Sequence, residues 1–174
     1  MSPVARSPRK GGQRSGAGPT TPATLALDAL GIAYTGHTYE HDSAATGYGD
    51  EAARELGIPA DRIFKTLLVD TGSGLAVAIV PVAGPLDLKA AAAALGVKAV
   101  RMADPTDAAR STGYVLGGIS PIGQRRRLRT VIDDAAASHD TVYVSGGRRG
   151  FQVELAPDDL LRATAGSYAA IGRT

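Results

Sequence analysis

The chain of 174 residues contains no cysteine and no tryptophan, and only 5% of its residues are aromatic. Without cysteine, the protein cannot form a disulfide framework, a zinc ribbon or a thiolate nucleophile of its own. With so few aromatic side chains, its core must consist of Leu, Ile, Val and Ala. The length suits one domain with a single core rather than two.

Long apolar runs are also absent. The longest nearly apolar stretches, 75–83 and 90–97, fall far short of the roughly 20 residues that a membrane-spanning helix needs. The N-terminus has no apolar core of the kind found in signal peptides. We therefore expect no membrane insertion and a cytoplasmic location.

Acidic residues are missing from the first 24 positions, whose charged side chains are Arg6, Arg9, Lys10 and Arg14. Residues 1–20 are rich in Ser, Pro, Gly and Arg and contain almost nothing to bury, so they cannot offset the entropy of ordering. We predict a disordered basic tail over residues 1–20 and one folded domain over residues 21–174.

A second basic cluster lies inside the folded part. It consists of Arg125, Arg126, Arg127 and Arg129, followed by Arg148 and Arg149. Such a concentration of positive charge can bind a polyanion such as nucleic acid, or it can simply form a solvated face. Composition alone favours neither interpretation.

Short helix and strand signals alternate in the folded part without a regular βαβ repeat. Start and stop residues such as Pro, Asp and Gly predict helices at 22–30, at 50–55, at 87–95, from 104 onward and at 157–165. Alternating or β-branched runs predict a strand that ends near Tyr39 and further strands at 63–69, 75–82, 97–102, 128–133, 141–145 and 151–155. This pattern is typical of an α+β fold with a curved mixed sheet flanked by helices.

The three histidines do not form a metal-binding pattern. His37 and His41 lie in a predicted extended segment, where four residues of separation place them on one face but about 13 Å apart. With only His139 besides and no cysteine, we expect no metal site. We interpret His37 and His41 as surface or hydrogen-bonding residues.

Motifs for a protein nucleophile are absent as well. The nearest match to a serine elbow is GGISPIG around Ser120, but Pro121 has no N–H and cannot serve as the oxyanion donor. The run SGGRRGF from Ser145 lies between two predicted strands and could form an anion-binding turn or an ordinary hairpin. In an acyl-transfer enzyme with this sequence, backbone amides would have to supply most of the electrostatic stabilisation.

Lys65 is the most informative single residue, because it interrupts the apolar run IFKTLLV. It shares a predicted strand face with Ile63, Leu67 and Val69, so its ammonium must find a partner or reach solvent. Lys65 is therefore either an edge residue whose stem packs on the sheet or, beside Thr66, a group that holds an anion or a carbonyl at a pocket rim.

Eight ordered segments of the chain match a known pattern. They are TPAT at 21–24, HTYEHD at 37–42, GDEAARELGI at 49–58, FKTLLV at 64–69, VPVAGPLDLK at 80–89, MADP at 102–105, RSTGYVLGGISPIGQRRRL at 110–128 and YVSGGRRGFQVEL at 143–155. In this order they resemble the YbaK/EbsC family of aminoacyl-tRNA deacylases, and specifically its Cys-tRNA(Pro) deacylase branch. The resemblance covers essentially the whole domain from Thr21 onward.

The resemblance implies a YbaK-like single α+β domain, with a twisted mixed β-sheet or partial barrel flanked by short helices. It also implies a trans-editing enzyme that hydrolyses the ester of mischarged Cys-tRNA(Pro), with Cys-tRNA(Cys) as a second candidate substrate. Such a second sieve is needed because the synthetase for proline cannot fully reject cysteine. The expected partners are the 3′ end of the aminoacyl-tRNA and prolyl-tRNA synthetase, and no cofactor is expected.

The resemblance also assigns site residues. The residues that correspond to the catalytic positions of the family are Lys65, Gly117 and Gly118, with the glycine amides near the scissile carbonyl. The residues that correspond to its substrate-binding positions are Tyr39, Tyr48, Thr66 and Ser145, and Tyr48 stands where Phe is common. The residues expected to contact the tRNA backbone are Arg125, Arg126, Arg127, Arg148 and Arg149.

In this branch the resemblance implies that the thiol of the substrate cysteine attacks its own carbonyl, so that the protein needs only to orient and stabilise the ester. Two alternatives remain open at this point. One is a related editor of Ala-tRNA(Pro), which would require an activated water. The other is a non-catalytic tRNA- or synthetase-binding module that kept the fold.

Overall fold

A computed structural model describes residues 18–44 and 47–173, so most of the predicted basic tail lies outside the described residues. The helices within these ranges are α1 (Pro22–Leu30), α2 (Tyr48–Leu56), α3 (Leu88–Leu95), α4 (Pro105–Thr112) and α5 (Pro157–Thr164). The strands are β1 (Thr35–Thr38), β2 (Phe64–Asp70), β3 (Leu75–Pro81), β4 (Arg101–Met102), β5 (Thr130–Asp133), β6 (Val142–Arg148), β7 (Phe151–Leu155) and β8 (Ser167–Ala169). The predicted mixture of short helices and strands is confirmed.

The strands form two sheets that meet at the start of β2. The smaller sheet has the antiparallel order β1-β7-β6, and the larger sheet has the order β4-β2-β3-β5-β8. The larger sheet is mixed, because β2 and β3 form an antiparallel hairpin whereas β5 pairs in parallel with both β3 and β8. A parallel bridge between Ile63 and Tyr143 joins the residue before β2 to β6. The two sheets are therefore neighbours at the end of β2 where Lys65 lies.

The main apolar core fills one face of both sheets. It includes buried side chains from α1, α5 and most strands, among them Leu27, Phe64, Leu68, Ile79, Ile132, Val144, Phe151, Val153 and Leu160. The opposite face of β2, β3 and β5 is covered by α3 through residues such as Ala91 and Leu95. A small third cluster joins Ala52 of α2 with Ile63 and Tyr143. Thus α2 and α3 lie on the same outer face of the sheets. Helix α3 covers β2, β3 and β5, whereas α2 covers Ile63 and Tyr143.

The helix ends follow the sequence signals with one exception. The Thr21 hydroxyl accepts a hydrogen bond from the Thr24 N–H at 3.2 Å, and the Asp87 carboxylate accepts one from the Ala90 N–H at 3.0 Å. These bonds satisfy N–H groups that the first turn leaves free. By contrast, α2 begins at Tyr48 rather than at Asp50, without a side-chain cap. Within the described ranges, each helix is too short or too polar to cross a lipid bilayer.

The strand predictions require three corrections. The strand predicted at 97–102 is reduced to Arg101–Met102, because these are the residues that pair with β2. β6 continues to Arg148 through a bulge after Ser145, which the sequence did not indicate. The short strand β8 and a 3₁₀ helix at Asp134–Ser138 were not predicted, because each is too short to show a periodic pattern.

Candidate active site

Lys65 lies near the start of β2, directly opposite Val80 of β3. Because side chains alternate along a strand, it shares the outer face with Ile63, which packs against Ala52 of α2. The side chain is half-buried, and within the described residues its ammonium has no hydrogen-bond or ion-pair partner. A cation in this setting is available to a ligand.

Thr66 points in the opposite direction. Its side chain lies on the same face of β2 as Phe64 and Leu68, which belong to the main core. Its hydroxyl oxygen is buried and has no hydrogen-bond partner in the described part of the chain. The structure therefore does not bring the side chains of Lys65 and Thr66 together, and Thr66 can reach the Lys65 side only through its backbone.

Gln152 is a candidate that the sequence did not reveal. It lies on β7 opposite Ser145 of β6 and opposite His37 of β1, so these three side chains share a face. Gln152 is 8% exposed, and its Oε1 atom is buried without a hydrogen-bond partner in the described residues. An unpaired buried acceptor costs about 1–3 kcal/mol. The one available signal was a polar residue between Phe151 and Val153 in an apolar strand.

Ser145 lies at the bulge of β6, two residues after Tyr143 and therefore on the same outer face. Its hydroxyl accepts a hydrogen bond from the Gly147 N–H at 3.2 Å. Gly146 follows without a side chain because a Cβ there would lie 2.4 Å from the Phe151 ring. The predicted turn therefore keeps the Ser145 hydroxyl at the edge of the polar face.

Tyr39 follows β1 and reaches the same region. Its N–H donates a hydrogen bond to the Gly150 carbonyl at 2.9 Å. Burial has the largest effect on the Tyr39 phenol and raises its pKa, and the negative charge of Glu51 raises the pKa further. Hydrogen bonds with the Gly150 backbone and the Gln152 side chain lower it by less. Tyr39 therefore keeps its proton at neutral pH and can donate a hydrogen bond.

Gly117 lies against Tyr48 and Arg149, and we call this cluster the rim of the candidate site. Arg149 Nε donates a hydrogen bond to the Leu116 carbonyl at 2.7 Å, and its guanidinium carbon lies 5.4 Å from the centroid of the Tyr48 ring. Gly117 has a φ of 84°, and a Cβ there would lie 2.7 Å from the Tyr48 ring and 2.9 Å from Arg149 Nε. Both the backbone conformation and the contacts require glycine.

The two predicted glycine amides differ in availability. The Gly118 N–H donates a hydrogen bond to the Val115 carbonyl at 2.9 Å, and a Cβ on Gly118 would lie 2.8 Å from the Arg148 Cα. The Gly117 N–H makes no hydrogen bond within residues 18–44 and 47–173. Gly117 can therefore donate to a ligand, whereas Gly118 allows the loop to pack closely on the β6–β7 hairpin.

A buried carboxylate supports the rim from α2. Glu51 accepts a hydrogen bond of 2.6 Å from the Asp42 N–H, and its other oxygen lies 2.9 Å from His41 Nδ1. Burial alone would raise the pKa of Glu51, but these hydrogen bonds and the charge of His41 outweigh it and lower the pKa. The His41 ring lies 5.9 Å from the Tyr48 ring, so the pair helps to position Tyr48.

The other histidine of the HTYEHD segment also pairs with a carboxylate. His37 Nε2 lies 2.9 Å from Glu154 Oε1, and Glu154 Oε2 accepts a hydrogen bond from the Thr141 hydroxyl at 2.6 Å. Both histidines therefore make the hydrogen bonds expected of them. No group of three or more potential ligands able to hold a metal ion occurs in the described ranges.

The predicted tRNA-binding arginines separate into two groups. Arg148 and Arg149 belong to the β6–β7 hairpin and lie at the rim beside Gly118 and Gly117. Arg126 and Arg127 instead line a groove formed with α4 and the β2–β3 turn, and the Arg125 guanidinium donates to the Arg110 carbonyl of α4 at 3.4 Å. The structure thus places one group beside Tyr48 and the two glycines and leaves the other beside α4.

The sequence is similar to proteins of known family. The family model described as "Aminoacyl-tRNA editing domain" matches residues 42–163. EbsC of Enterococcus faecalis (strain ATCC 700802 / V583), a proposed Cys-tRNA(Pro)/Cys-tRNA(Cys) deacylase, is 42% identical over 123 residues, which are 70% of this chain and 75% of EbsC. The proline–tRNA ligase of Shouchella clausii (strain KSM-K16) is 33% identical over 101 residues, which are 54% of this chain and 18% of the ligase.

Solved structures share the fold. The crystal structure of a proposed trans-editing enzyme for prolyl-tRNA synthetase has a TM-score of 0.72 and 25% identity, with 81% of this chain and 87% of the other covered. The hypothetical protein APE2540 has a TM-score of 0.78 and 26% identity, with 87% and 99% covered. These matches confirm the predicted YbaK-like α+β fold. The chain therefore belongs to the aminoacyl-tRNA editing domain family.

Proposed function

We propose that this protein removes cysteine from Cys-tRNA(Pro) by trans-editing, and that Cys-tRNA(Cys) is a second substrate. The observation that carries the proposal is Lys65, a half-buried cation without a partner in the described residues, on the sheet face beneath α2. The similarity to EbsC supports the choice of cysteine as the amino acid.

The attacking group in this proposal comes from the substrate. Ser145 accepts a hydrogen bond from a backbone amide, His37 and His41 each pair with a glutamate, and no Ser–His hydrogen bond occurs in the described part of the chain. The cysteinyl sulfur therefore attacks its own ester carbonyl and forms the C–S bond of a cyclic thioester. The ester C–O bond breaks, the ribose oxygen takes up the thiol proton, and water later opens the thioester to cysteine.

Lys65 and Gly117 stabilise the charge that develops during this step. The carbonyl oxygen becomes negative as sulfur attacks, and donors that are already oriented toward it lower the barrier without reorganisation. The Gly117 N–H is available as such a donor, because it makes no other hydrogen bond in the described residues. Lys65 supplies a positive charge from β2, which stabilises the negative charge of the carbonyl oxygen or of the terminal phosphodiester.

Gln152 and Tyr39 recognise the amino acid. The unpaired Gln152 Oε1 accepts a hydrogen bond from the α-ammonium group, which removes the cost of a buried acceptor without a donor. The protonated Tyr39 phenol and the Ser145 hydroxyl complete the polar wall. Tyr48, held under the Arg149 guanidinium, offers a face on which the terminal adenine stacks.

Single-turnover deacylation tests the proposal directly. Cys-tRNA(Pro), Ser-tRNA and Ala-tRNA(Pro) are compared with wild-type protein, Lys65→Ala and the control Lys89→Ala, whose lysine is exposed on α3. We expect rapid release of cysteine, very slow release of serine, and a rate for Lys65→Ala reduced by at least about 100-fold. Lys89→Ala should match the wild type.

The other outcomes separate the alternatives. Equal hydrolysis of the seryl ester would exclude the thiol-assisted route, because oxygen would then serve as well as sulfur. Selective hydrolysis of Ala-tRNA(Pro) would identify the related editor that activates water. A protein that binds tRNA but hydrolyses none of the three esters would be a binding module.

Prolyl-tRNA synthetase is the proposed partner. A segment of the Shouchella clausii proline–tRNA ligase is similar to this chain, and one structural relative is described as a trans-editing enzyme for that synthetase. A separate editor that is bound to the synthetase meets mischarged tRNA at high local concentration when the tRNA is released. Addition of prolyl-tRNA synthetase should therefore raise the deacylation rate at limiting tRNA, whereas an unrelated synthetase should not.

A further inference from the structure

A concave region lies at the far end of β2 from Lys65. It has a volume of about 610 Å³ and lies between the β2–β3 turn, α4 and the segment before β5. We name it the arginine groove, and its polar lining includes Ser73, Arg110, Ser111, Arg126, Arg127 and Arg129. The sequence indicated Arg126, Arg127 and Arg129 as a basic run, but not that Arg110 of α4 joins them.

The arginine groove carries an excess of unpaired positive charge. Arg110 pairs with Asp107 at 3.4 Å, and Arg129 Nη1 donates a hydrogen bond to the Leu95 carbonyl at 2.6 Å. Arg126 and Arg127 are exposed and have no carboxylate partner within the described residues. Asp107 is the one carboxylate among the lining residues. The groove therefore attracts an anion with several negative charges.

The position of the groove relative to Lys65 restricts the ligand. At about 3.4 Å per residue, the strand from Lys65 to Asp70 is about 17 Å long, and Ser73 of the groove follows after the strand ends. Basic residues continue from the groove to the rim along the loop after α4, because Arg125 packs beside Gly113 and Arg149 donates a hydrogen bond to the Leu116 carbonyl of the same loop. One extended polyanion can therefore contact the rim and the groove at the same time.

We infer that the arginine groove binds the phosphate backbone of the tRNA acceptor stem while the 3′ end occupies the Lys65 site. This inference rests on the proposed function, since it takes the aminoacyl ester at Lys65 as its starting point. The unpaired nucleotides of a tRNA 3′ end separate the ester from the first base pair. The acceptor stem therefore contacts the protein at a distance from Lys65, as the arginine groove requires. Arginines and serine hydroxyls are typical donors to phosphate oxygens, and such contacts fix position without reading sequence.

Site-directed cleavage can locate the acceptor stem, because the chain has no cysteine and a single introduced thiol can be labelled. An iron chelate that generates hydroxyl radicals is attached to Ser73→Cys in the groove wall, or to Ser167→Cys on β8 as a control. Both parent residues are exposed. Uncharged tRNA(Pro) serves as the probe, so the readout does not depend on deacylation.

We expect strand cleavage in the paired part of the acceptor stem with the Ser73→Cys conjugate and background cleavage with the Ser167→Cys conjugate. Cleavage by the Ser73→Cys conjugate confined to the unpaired 3′ end, or located in the anticodon arm, would overturn the inference. Equal cleavage by the two conjugates would overturn it as well.

A charge-matched pair of double variants gives a second test. Arg126→Gln/Arg127→Gln is compared with Arg162→Gln/Arg173→Gln, which removes the same charge from exposed arginines outside the groove. The measured quantity is kcat/KM for full-length Cys-tRNA(Pro) divided by kcat/KM for a 3′-cysteinyl adenosine ester without a stem. This ratio should fall at least about 10-fold in the groove variant, and the salt dependence of tRNA binding should become less steep by about two in logarithmic slope.

The two proposals fail in different ways. If the adenosine ester is hydrolysed and the ratio is the same in both double variants, the groove assignment is wrong while the deacylase remains. If no variant hydrolyses either ester, the proposed function is wrong, and the cleavage pattern with uncharged tRNA(Pro) alone decides the groove.

Discussion

The helices α3 and α2 cover neighbouring parts of one sheet face, but they bury side chains of different kinds. Under α3, the strands present an apolar surface that includes Val69, Ala78 and Val131, and Leu95 of the helix packs against it. Under α2, the apolar cluster is small. Beside it lie the Lys65 ammonium and the Gln152 Oε1 atom, neither of which has a hydrogen-bond partner in the described residues.

The change occurs within a single strand. Val69 and Leu67 of β2 pack in the α3 cluster, whereas Lys65, the next residue on that face, does not, although Val80 directly opposite does. The part of this face under α3, which we call the α3 half, consists of packed apolar side chains. Such packing stabilises the fold in proportion to the apolar area buried. The part under α2, which we call the α2 half, has less of that stabilisation, and its polar groups remain unpaired and available to a ligand. Substitutions in the two halves should therefore separate activity from stability.

The largest expected effect comes from making the α2 half resemble the α3 half. Lys65→Leu extends the apolar row of Leu67 and Val69 and removes the cation that the mechanism requires. We expect single-turnover deacylation of Cys-tRNA(Pro) to fall on the order of 100- to 1,000-fold. The melting temperature should stay the same or rise, because a half-buried unpaired ammonium is replaced by an apolar side chain.

Two measurements together decide this prediction. Thermal unfolding followed by circular dichroism reports stability, and quenched-flow deacylation reports activity. A Lys65→Leu protein that is destabilised and loses activity only in proportion to its unfolded fraction would show that Lys65 has a packing role.

The converse substitution is Leu95→Ala in the α3 half. Leu95 is 3% exposed, and its truncation leaves a cavity against the sheet, so we expect a loss of about 3 kcal/mol in the free energy of unfolding. Urea denaturation measures this loss. The deacylation rate of the folded protein, measured well below the melting temperature, should be unchanged. A reduced rate would mean that the two halves are mechanically coupled.

A smaller effect is expected from the buried carboxylate that supports the α2 half. The pKa of Glu51 is below its ordinary value of 4.5, so Glu51 contributes stability above pH 4.5 and loses it as the pH falls through the folded-state pKa. The groups that face it are His41, the Tyr39 phenol, and both the amide and the carboxylate of Asp42, whose negative charge raises the Glu51 pKa. Glu51→Gln should lower the melting temperature at pH 7, and the difference from wild type should shrink below pH 4.5.

Glu40→Gln is the matched control for this pH series, because it makes the same charge change at an exposed position. Its melting temperature should follow the wild type at every pH. A constant difference between Glu51→Gln and wild type from pH 7 to pH 3.5 would contradict the assigned role of the Glu51 charge.

The sequence predicted the elements whose signals are local. The end of α1 at Gly31, the end of α3 at Gly96 and the β2–β3 hairpin each depend on a few adjacent residues, and all three are confirmed. The start of α2 was placed two residues too late, because Asp50 has the composition of a cap but stabilises the first turn from within the helix.

The candidate site was less predictable, since it depends on which residues the two sheets bring to one face. The alternation of β2 separates the side chains of Lys65 and Thr66, which the family pattern assigns to one pocket. Gln152 joins the site through its register with Ser145, a long-range pairing that no local pattern contains. The role of these residues in catalysis stays a prediction.

The smallest expected effect concerns the hydroxyl of the rim residue Tyr48. The Tyr48 hydroxyl makes no hydrogen bond in the described residues, whereas its ring lies under the Arg149 guanidinium and against Gly117. Tyr48→Phe should therefore change kcat/KM by no more than about twofold. Tyr48→Leu removes the aromatic face and should cost about 1–3 kcal/mol in binding of the terminal base, measured as a rise in KM. A large loss in Tyr48→Phe would instead assign the hydroxyl to the substrate and move the polar part of the site from the strands toward α2.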